Sequence, residues 1–160
     1  GVRVYSLASD DLADAEVAER QAEAAVERLQ ATDRRVRERV VSYVASDSPG
    51  SVCAVRADYE NGLAGLDALG ERGTPAEQVG REPVEALDAF AGTEAAVDRH
   101  LADQLVPFLA VAGGELSVPD RTDHVVSGLE LLAAFGCAVT VEAGDGRVRL
   151  RVDEPLAVGR

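Results

Sequence analysis

Apolar and polar residues alternate from the start of the chain. Val2, Val4 and Ser6 fall on one side of an extended backbone, and Arg3, Tyr5 and Leu7 fall on the other. That is the period of a half-buried strand over 1–8. Ser9-Asp10-Asp11 supplies helix N-cap residues, and the period then changes to that of a helix over 12–31. Its apolar stripe is Ala15, Ala18, Ala22, Ala25, Val26 and Leu29, with Glu and Arg opposite. The Val-rich segment 35–45 and the segment 51–57 read as strands on either side of Asp47-Ser48-Pro49-Gly50. That turn predicts a hairpin between them. A short apolar element over 62–69 is expected at a sheet edge. After the loop 70–73, Thr74-Pro75 opens a second helix that runs to about Phe90, with Pro in the first turn, where it is tolerated. This unit reads β-α-β-β-β-α.

Ala91-Gly92-Thr93 is the expected joint between units. Beyond it, 94–112 reads as a helix with apolar positions Val97, Leu101, Leu105, Leu109 and Ala112, ended by Gly113-Gly114. A short strand over 115–118, a loop over 119–123 and a helix over 125–135 follow. Strands over 137–142 and 147–152 flank Ala143-Gly144-Asp145-Gly146, a hairpin signal. Val148, Leu150 and Val152 are expected inward, and Arg147, Arg149 and Arg151 outward. Residues from 154 form a tail. The fold class is α/β (α+β): a β-α-β-β-β-α unit followed by an α-β-α-β-β unit.

Composition narrows the picture. The chain has 160 residues, 46% of them apolar, enough for a packed core. No apolar run reaches the length of about 18 residues that a membrane helix needs, and no signal segment opens the chain. The expectation is a cytoplasmic protein with no membrane partner. Acidic residues outnumber basic ones 29 to 16, for a net charge of -13, and every basic residue is Arg. Carboxylates in excess, Arg in place of all Lys, and Ala and Val instead of large aromatics fit a protein adapted to high salt, so a halophile is the expected source. In molar salt the Debye length is only about 3 Å, so net charge says little about partners and local Arg clusters matter more. Cys53 and Cys137 both lie in apolar segments without metal-ligand spacing and read as buried thiols. No phosphate-binding glycine fingerprint is present.

Three groups could carry chemistry. His100, Asp103 and Gln104 stand at i, i+3 and i+4 and share one helix face. They are either a solvated polar face or a ligand site: a ring to stack, a carboxylate for metal or hydroxyl, an amide for hydrogen bonds. His124 follows the polar loop Asp120-Arg121-Thr122-Asp123 at the start of a helix, where backbone N–H groups favour phosphate. It is either a surface histidine or a nucleophile toward phosphorus. Arg35, Arg37 and Arg39 alternate on a strand, as an exposed face or as a contact for a phosphate backbone.

An ordered series of segments resembles the RNA 3'-terminal phosphate cyclases. It runs through Glu16-Val17-Ala18-Glu19-Arg20-Gln21-Ala22, Ser48-Pro49-Gly50-Ser51 and Leu69-Gly70-Glu71-Arg72-Gly73-Thr74-Pro75-Ala76-Glu77-Gln78-Val79-Gly80. It continues with Val97-Asp98-Arg99-His100-Leu101-Ala102-Asp103-Gln104-Leu105, Pro107 and Ala110-Val111-Ala112-Gly113-Gly114. The resemblance implies that 1–92 is a domain inserted into a larger catalytic domain, and that 93–160 is the last part of that catalytic domain. Gly1 in place of an initiator Met fits a fragment lacking the upstream half.

The resemblance also implies an activity. The family converts RNA 3'-terminal phosphates into 2',3'-cyclic phosphates with ATP and a divalent metal (Mg or Mn), through a histidyl-AMP intermediate. His124 takes the position of the nucleophile. Asp103 and Gln104 match the family's active-site pair, and His100 is the candidate ring for adenine; the partners implied are ATP and RNA with a 3'-phosphate end. Two features depart from the family pattern. Ser127-Gly128 stands where a Thr-Asn pair is common, and Ala134-Phe135-Gly136 stands where Phe-Leu-Pro is common. The alternative is a non-catalytic, cyclase-like scaffold or binding module of RNA processing. On the enzyme reading, catalytic Arg and Glu residues lie upstream, so these 160 residues alone are expected to show little or no cyclase activity.

Overall fold

A computed structural model describes residues 1–60, 63–144 and 146–157. Gly62, at the expected start of the fourth strand, Asp145, in the expected last turn, and the tail residues 158–160 lie outside the described residues. The chain divides into two compact units, 1–89 and 90–160.

In the first unit, β1 (Val2–Ser9) leads through a 3-10 turn (Asp10–Leu12) to α1 (Val17–Ala31). Then come β2 (Val36–Val44), β3 (Ser51–Asp58), β4 (Leu63–Gly70) and α2 (Ala76–Ala91). The predicted alternation in β1 holds: Val2, Val4, Ser6 and Ala8 are buried, while Arg3, Tyr5 and Leu7 are half-buried. Helix α1 begins five residues later than expected, because Glu16 sits in the left-handed region (φ 50°) and breaks the helix there. Ala15 is therefore exposed, whereas Ala18, Ala22, Ala25 and Leu29 of the predicted stripe are fully buried.

The sheet order is β2-β1-β3-β4. This overturns the expected β2–β3 hairpin, since the two strands flank β1 on opposite sides. Strand β2 pairs with β1 in parallel through the α1 crossover, and β3 pairs with β1 antiparallel. The turn 45–50 therefore crosses the end of β1 and is tied to it: Ser9 N–H donates to the Gly50 carbonyl (2.9 Å), and Gly50 N–H donates to Ser9 Oγ (3.2 Å). The antiparallel neighbour pair is instead β3 and β4, with β4 at the edge as predicted.

A register shift in β2 separates Val2↔Val36 from Arg3↔Glu38. This bulge breaks the alternation, so Arg35, Arg37 and Arg39 do not share a face. Arg39 turns toward α1 and donates to the Glu19 carbonyl (3.3 Å), while Arg34 is held by Asp88 of α2 (2.8 Å). The cluster therefore does not form a single basic stripe. Helix α2 runs against α1, with Gly80 over the Gln21 carbonyl.

In the second unit, α3 (Arg99–Ala112), β5 (Gly114–Val118), α4 (Asp123–Ala134), β6 (Thr140–Gly144) and β7 (Arg147–Val152) follow in the predicted order. The sheet is antiparallel, β5-β7-β6. Helix α3 starts at Arg99, five residues after the expected start. Asp98 caps it by accepting from the N–H groups of His100 and Leu101 (both 2.8 Å). Its buried face is Ala102, Val106, Leu109 and Ala110; Leu101 is exposed, so the predicted stripe was rotated. Val148, Leu150 and Val152 point into the core as predicted, against Val118, Val125 and Leu132. Leu156 of the tail returns to α3, its N–H donating to the Ala110 carbonyl (2.8 Å). Cys53 and Cys137 are buried free thiols, as expected, and burial pushes the Cys53 thiol up to about 12. Among the described residues no helix is long and apolar enough to cross a membrane.

Candidate functional site

The second unit carries an open hollow of about 400 Å³ lined by His100, Asp103, Gln104 and His124. Three of the four come from one face of α3, where the i, i+3, i+4 spacing places them. The fourth is the second residue of α4. His100, Gln104 and His124 are exposed, and Asp103 is half-buried.

Two helix starts set the geometry. Asp98 fixes the first turn of α3, and Thr122 fixes that of α4 by accepting from Val125 N–H (3.2 Å). Arg99 and Asp120 link the two starts through a two-pronged ion pair (3.2 and 2.5 Å). Ala96 N–H donates to the carbonyl of Ser117 (3.0 Å), which ties the approach to α3 to the end of β5. His124 thus stands where a helix start presents unpaired N–H groups. Neither the Asp98 cap nor the Arg99–Asp120 pair is among the features expected from the sequence. The cap was legible as an Asp just ahead of an apolar run. The pair joins residues 21 apart and has no local signal.

Within the hollow, Asp103 Oδ1 is buried and has no hydrogen-bond partner among the described residues. A carboxylate oxygen in that condition carries a desolvation cost that a bound cation, hydroxyl or amine would relieve. Pro107 adds to this: it has no N–H to give the carbonyl of Asp103, four residues before it in α3. No group of three or more His, Cys, Asp or Glu is placed to hold a metal among the described residues. The residues present could offer a divalent cation one carboxylate, which is the share a protein commonly gives Mg²⁺ when phosphate oxygens complete the shell. His100 offers a ring face and Gln104 an amide. The set fits a nucleotide better than a free metal ion.

Fold and site together define an α+β protein whose second unit presents a histidine-bearing hollow of ligand size. Comparison with known proteins identifies the family. The family model described as the RNA 3'-terminal phosphate cyclase (RTC) insert domain matches residues 1–90. A protein named RNA 3'-terminal phosphate cyclase from Halobacterium salinarum is 46% identical over 147 residues, covering 91% of this chain and 41% of that protein. Its namesake from Thermococcus kodakarensis is 44% identical over 134 residues, covering 83% of this chain and 39% of that one. The chain belongs to the RNA 3'-terminal phosphate cyclase family. It spans about two fifths of the length of these relatives.

Proposed function

We propose that this chain is part of an enzyme that cyclises RNA 3'-phosphate ends with ATP, and that the His124 hollow is where AMP is carried. A ring nitrogen of His124 attacks the α-phosphorus of ATP; the bond to the bridging oxygen breaks and pyrophosphate leaves. The adenylyl group then passes from His124 to an oxygen of the RNA 3'-phosphate. The neighbouring 2'-hydroxyl, losing its proton, attacks that phosphorus and expels AMP, which leaves a 2',3'-cyclic phosphate. Each displacement has a good leaving group, the advantage of a covalent route. His100 packs on the adenine, Gln104 hydrogen-bonds to the nucleotide, and the bare oxygen of Asp103 faces the nucleotide and its cation. A divalent metal, Mg or Mn, would neutralise phosphate charge.

What supports the reading is the grouping of His124 with His100, Asp103 and Gln104 at a helix start, in a chain 46% identical to a protein named as such a cyclase. On this reading residues 1–92 are the inserted domain and 93–160 a part of the catalytic domain. The 160 residues alone are then expected to give little or no cyclase turnover.

The test is to purify the full reading frame containing this chain in high KCl and incubate it with α-labelled ATP and a divalent metal, beside His124→Ala. The expected result is acid-labile, alkali-stable label on the parent protein and none on the variant. Label that survives in His124→Ala would remove the assigned nucleophile. No label on either protein would favour a non-catalytic module that binds RNA.

A further inference from the structure

A hollow of about 610 Å³ in the first unit plays no part in the chemistry above. Its size falls in the range of ligand pockets, on the order of 300–1,000 Å³. It opens where β1 ends, β3 begins and β4 ends. Three of the segments that carry the family resemblance meet there. They are 16–22, with Val17, Arg20 and Gln21; 48–51, with Pro49 and Ser51; and 69–80, with Arg72 and Val79. Segments so far apart in the chain converge on one hollow that histidine chemistry does not use.

The lining has three parts. Val17, Pro49 and Val79 give an apolar wall. Gln21, fully buried, accepts from Ser6 Oγ (2.9 Å) and donates through Nε2 to Ser51 Oγ (2.7 Å). A primary amide has two N–H donors; the second of Gln21 Nε2 has no acceptor among the described residues. On the rim stand two guanidinium groups. Arg20 is committed to Glu77 by a two-pronged pair (2.8 and 3.0 Å). Arg72 makes no ion pair among the described residues and lies in the 70–73 loop, exposed. Its planar fork matches a phosphate. Among the described residues the rim thus offers the Arg72 guanidinium, with the Glu71 carboxylate beside it, next to an uncharged wall; that suits a ligand whose single anionic group can sit on Arg72 away from Glu71 and whose larger neutral body can hydrogen-bond.

We propose that this hollow binds a nucleoside monophosphate unit, free or within single-stranded RNA, with its phosphate on Arg72 and its nucleoside against Val17, Pro49, Val79 and the Gln21 amide. Glu71, on the same rim, opposes the phosphate. The proposal therefore carries two opposite signs. Loss of Arg72 weakens binding about tenfold, the usual scale of a charge-assisted hydrogen bond. Loss of the Glu71 charge tightens it.

The experiment is a backbone-amide NMR titration of the 160-residue chain with inorganic phosphate, AMP and a five-nucleotide single-stranded RNA. It is repeated for Arg72→Ala and Glu71→Gln, both surface changes. Amide signals of 50–51, 70–74 and 76–79 report this hollow, and those of 100–104 and 124 report the other, so failure at one is distinct from failure at the other. Shifts at 50–51, 70–74 and 76–79 with AMP, weakened by Arg72→Ala and strengthened by Glu71→Gln, are expected. Equal affinity for AMP and the oligonucleotide would identify a free nucleotide, and tighter oligonucleotide binding would identify RNA. No shift in these segments at millimolar ligand, or equal affinity for inorganic phosphate and AMP, would overturn the proposal.

Discussion

Gly80 offers a direct test of how the first unit is packed. A Cβ added there would lie 2.1 Å from the Gln21 carbonyl oxygen, 2.9 Å from its carbon and 3.0 Å from its Cα, where ordinary contact begins at 3.4 Å. The obstacle is backbone inside α1, so no side chain can swing away. Gly80→Ala must push α1 and α2 apart by about 1 Å. A gap of that size forfeits about a quarter to a half of each contact across the interface. Ala76, Val79, Val84 and Leu87 of α2 are all buried and would lose contact together. Against this stands a helix-propensity gain of about 1 kcal/mol for Ala over Gly. Overpacking costs of about 1–3 kcal/mol, plus the loosened contacts, outweigh it. The net expectation is a loss of about 1–3 kcal/mol.

The assay can be made specific to this unit. The three tyrosines are Tyr5, Tyr43 and Tyr59, and there is no Trp. Tyrosine fluorescence therefore reports residues 1–89 alone. At about 4–8 °C per kcal/mol for a domain of this size, Gly80→Ala should melt about 5–20 °C lower by that signal. Gly65→Ala is the control: Gly65 has no atom within 4 Å of an added Cβ. It should leave the midpoint unchanged or slightly raised. A Gly80→Ala midpoint equal to or above that of the parent would refute the close approach of α1 and α2.

Three further outcomes follow from particular contacts. Gln21→Leu removes both bonds of the buried amide and leaves the buried Ser6 hydroxyl without its acceptor; a loss of about 2 kcal/mol in urea unfolding is expected. Asp98→Ala removes the acceptor for two N–H groups of α3 and should cost about 1 kcal/mol, with amide shifts at His100 and Leu101 as the direct readout. Burial raises the Asp58 carboxyl, but Arg3 and Arg56 outweigh it and hold the group below its ordinary value. Its folded pKa thus lies below the unfolded one, so its contribution is present above about pH 4 and is lost as the pH falls through the folded value. Asp58→Asn should then be less stable at neutral pH and flatter in stability below pH 4; an acid limb identical to that of the parent would count against the Arg3–Asp58–Arg56 cluster.

The order and type of the elements were legible because they are written in local periodicity. The alternation of Val2, Val4 and Ser6, and that of Val148, Leu150 and Val152, put the right residues inward. Pairing was less legible. The turn at 47–50 looks like a hairpin, yet β2 is committed to β1 by the α1 crossover, and nothing local records that. The start of α1 turned on a single backbone conformation at Glu16, and the face of β2 on one bulge. The stripe on α3 misled because Leu101 and Leu105 are larger than Ala102 and Ala110, which do the packing. The grouping of His100, Asp103 and Gln104 followed from helix spacing alone. That His124 should join them needed the tertiary path through β5.

The departure at Ser127-Gly128 has a structural counterpart. Gly128 lies one turn after His124 on α4, and a Cβ there would meet Val106 Cγ1 of α3 at 3.2 Å. Val106 is fully buried and lies three residues after Asp103. The spacing of α3 and α4 just below the hollow is thus set by a residue without a side chain. An Asn at that position would have to part the helices or turn away from the interface, and either would change the distance between His124 and the Asp103-Gln104 pair. Here the glycine lets the two helices approach closely, and the Arg99–Asp120 ion pair ties their starts. Two separate contacts therefore hold His124 beside Asp103.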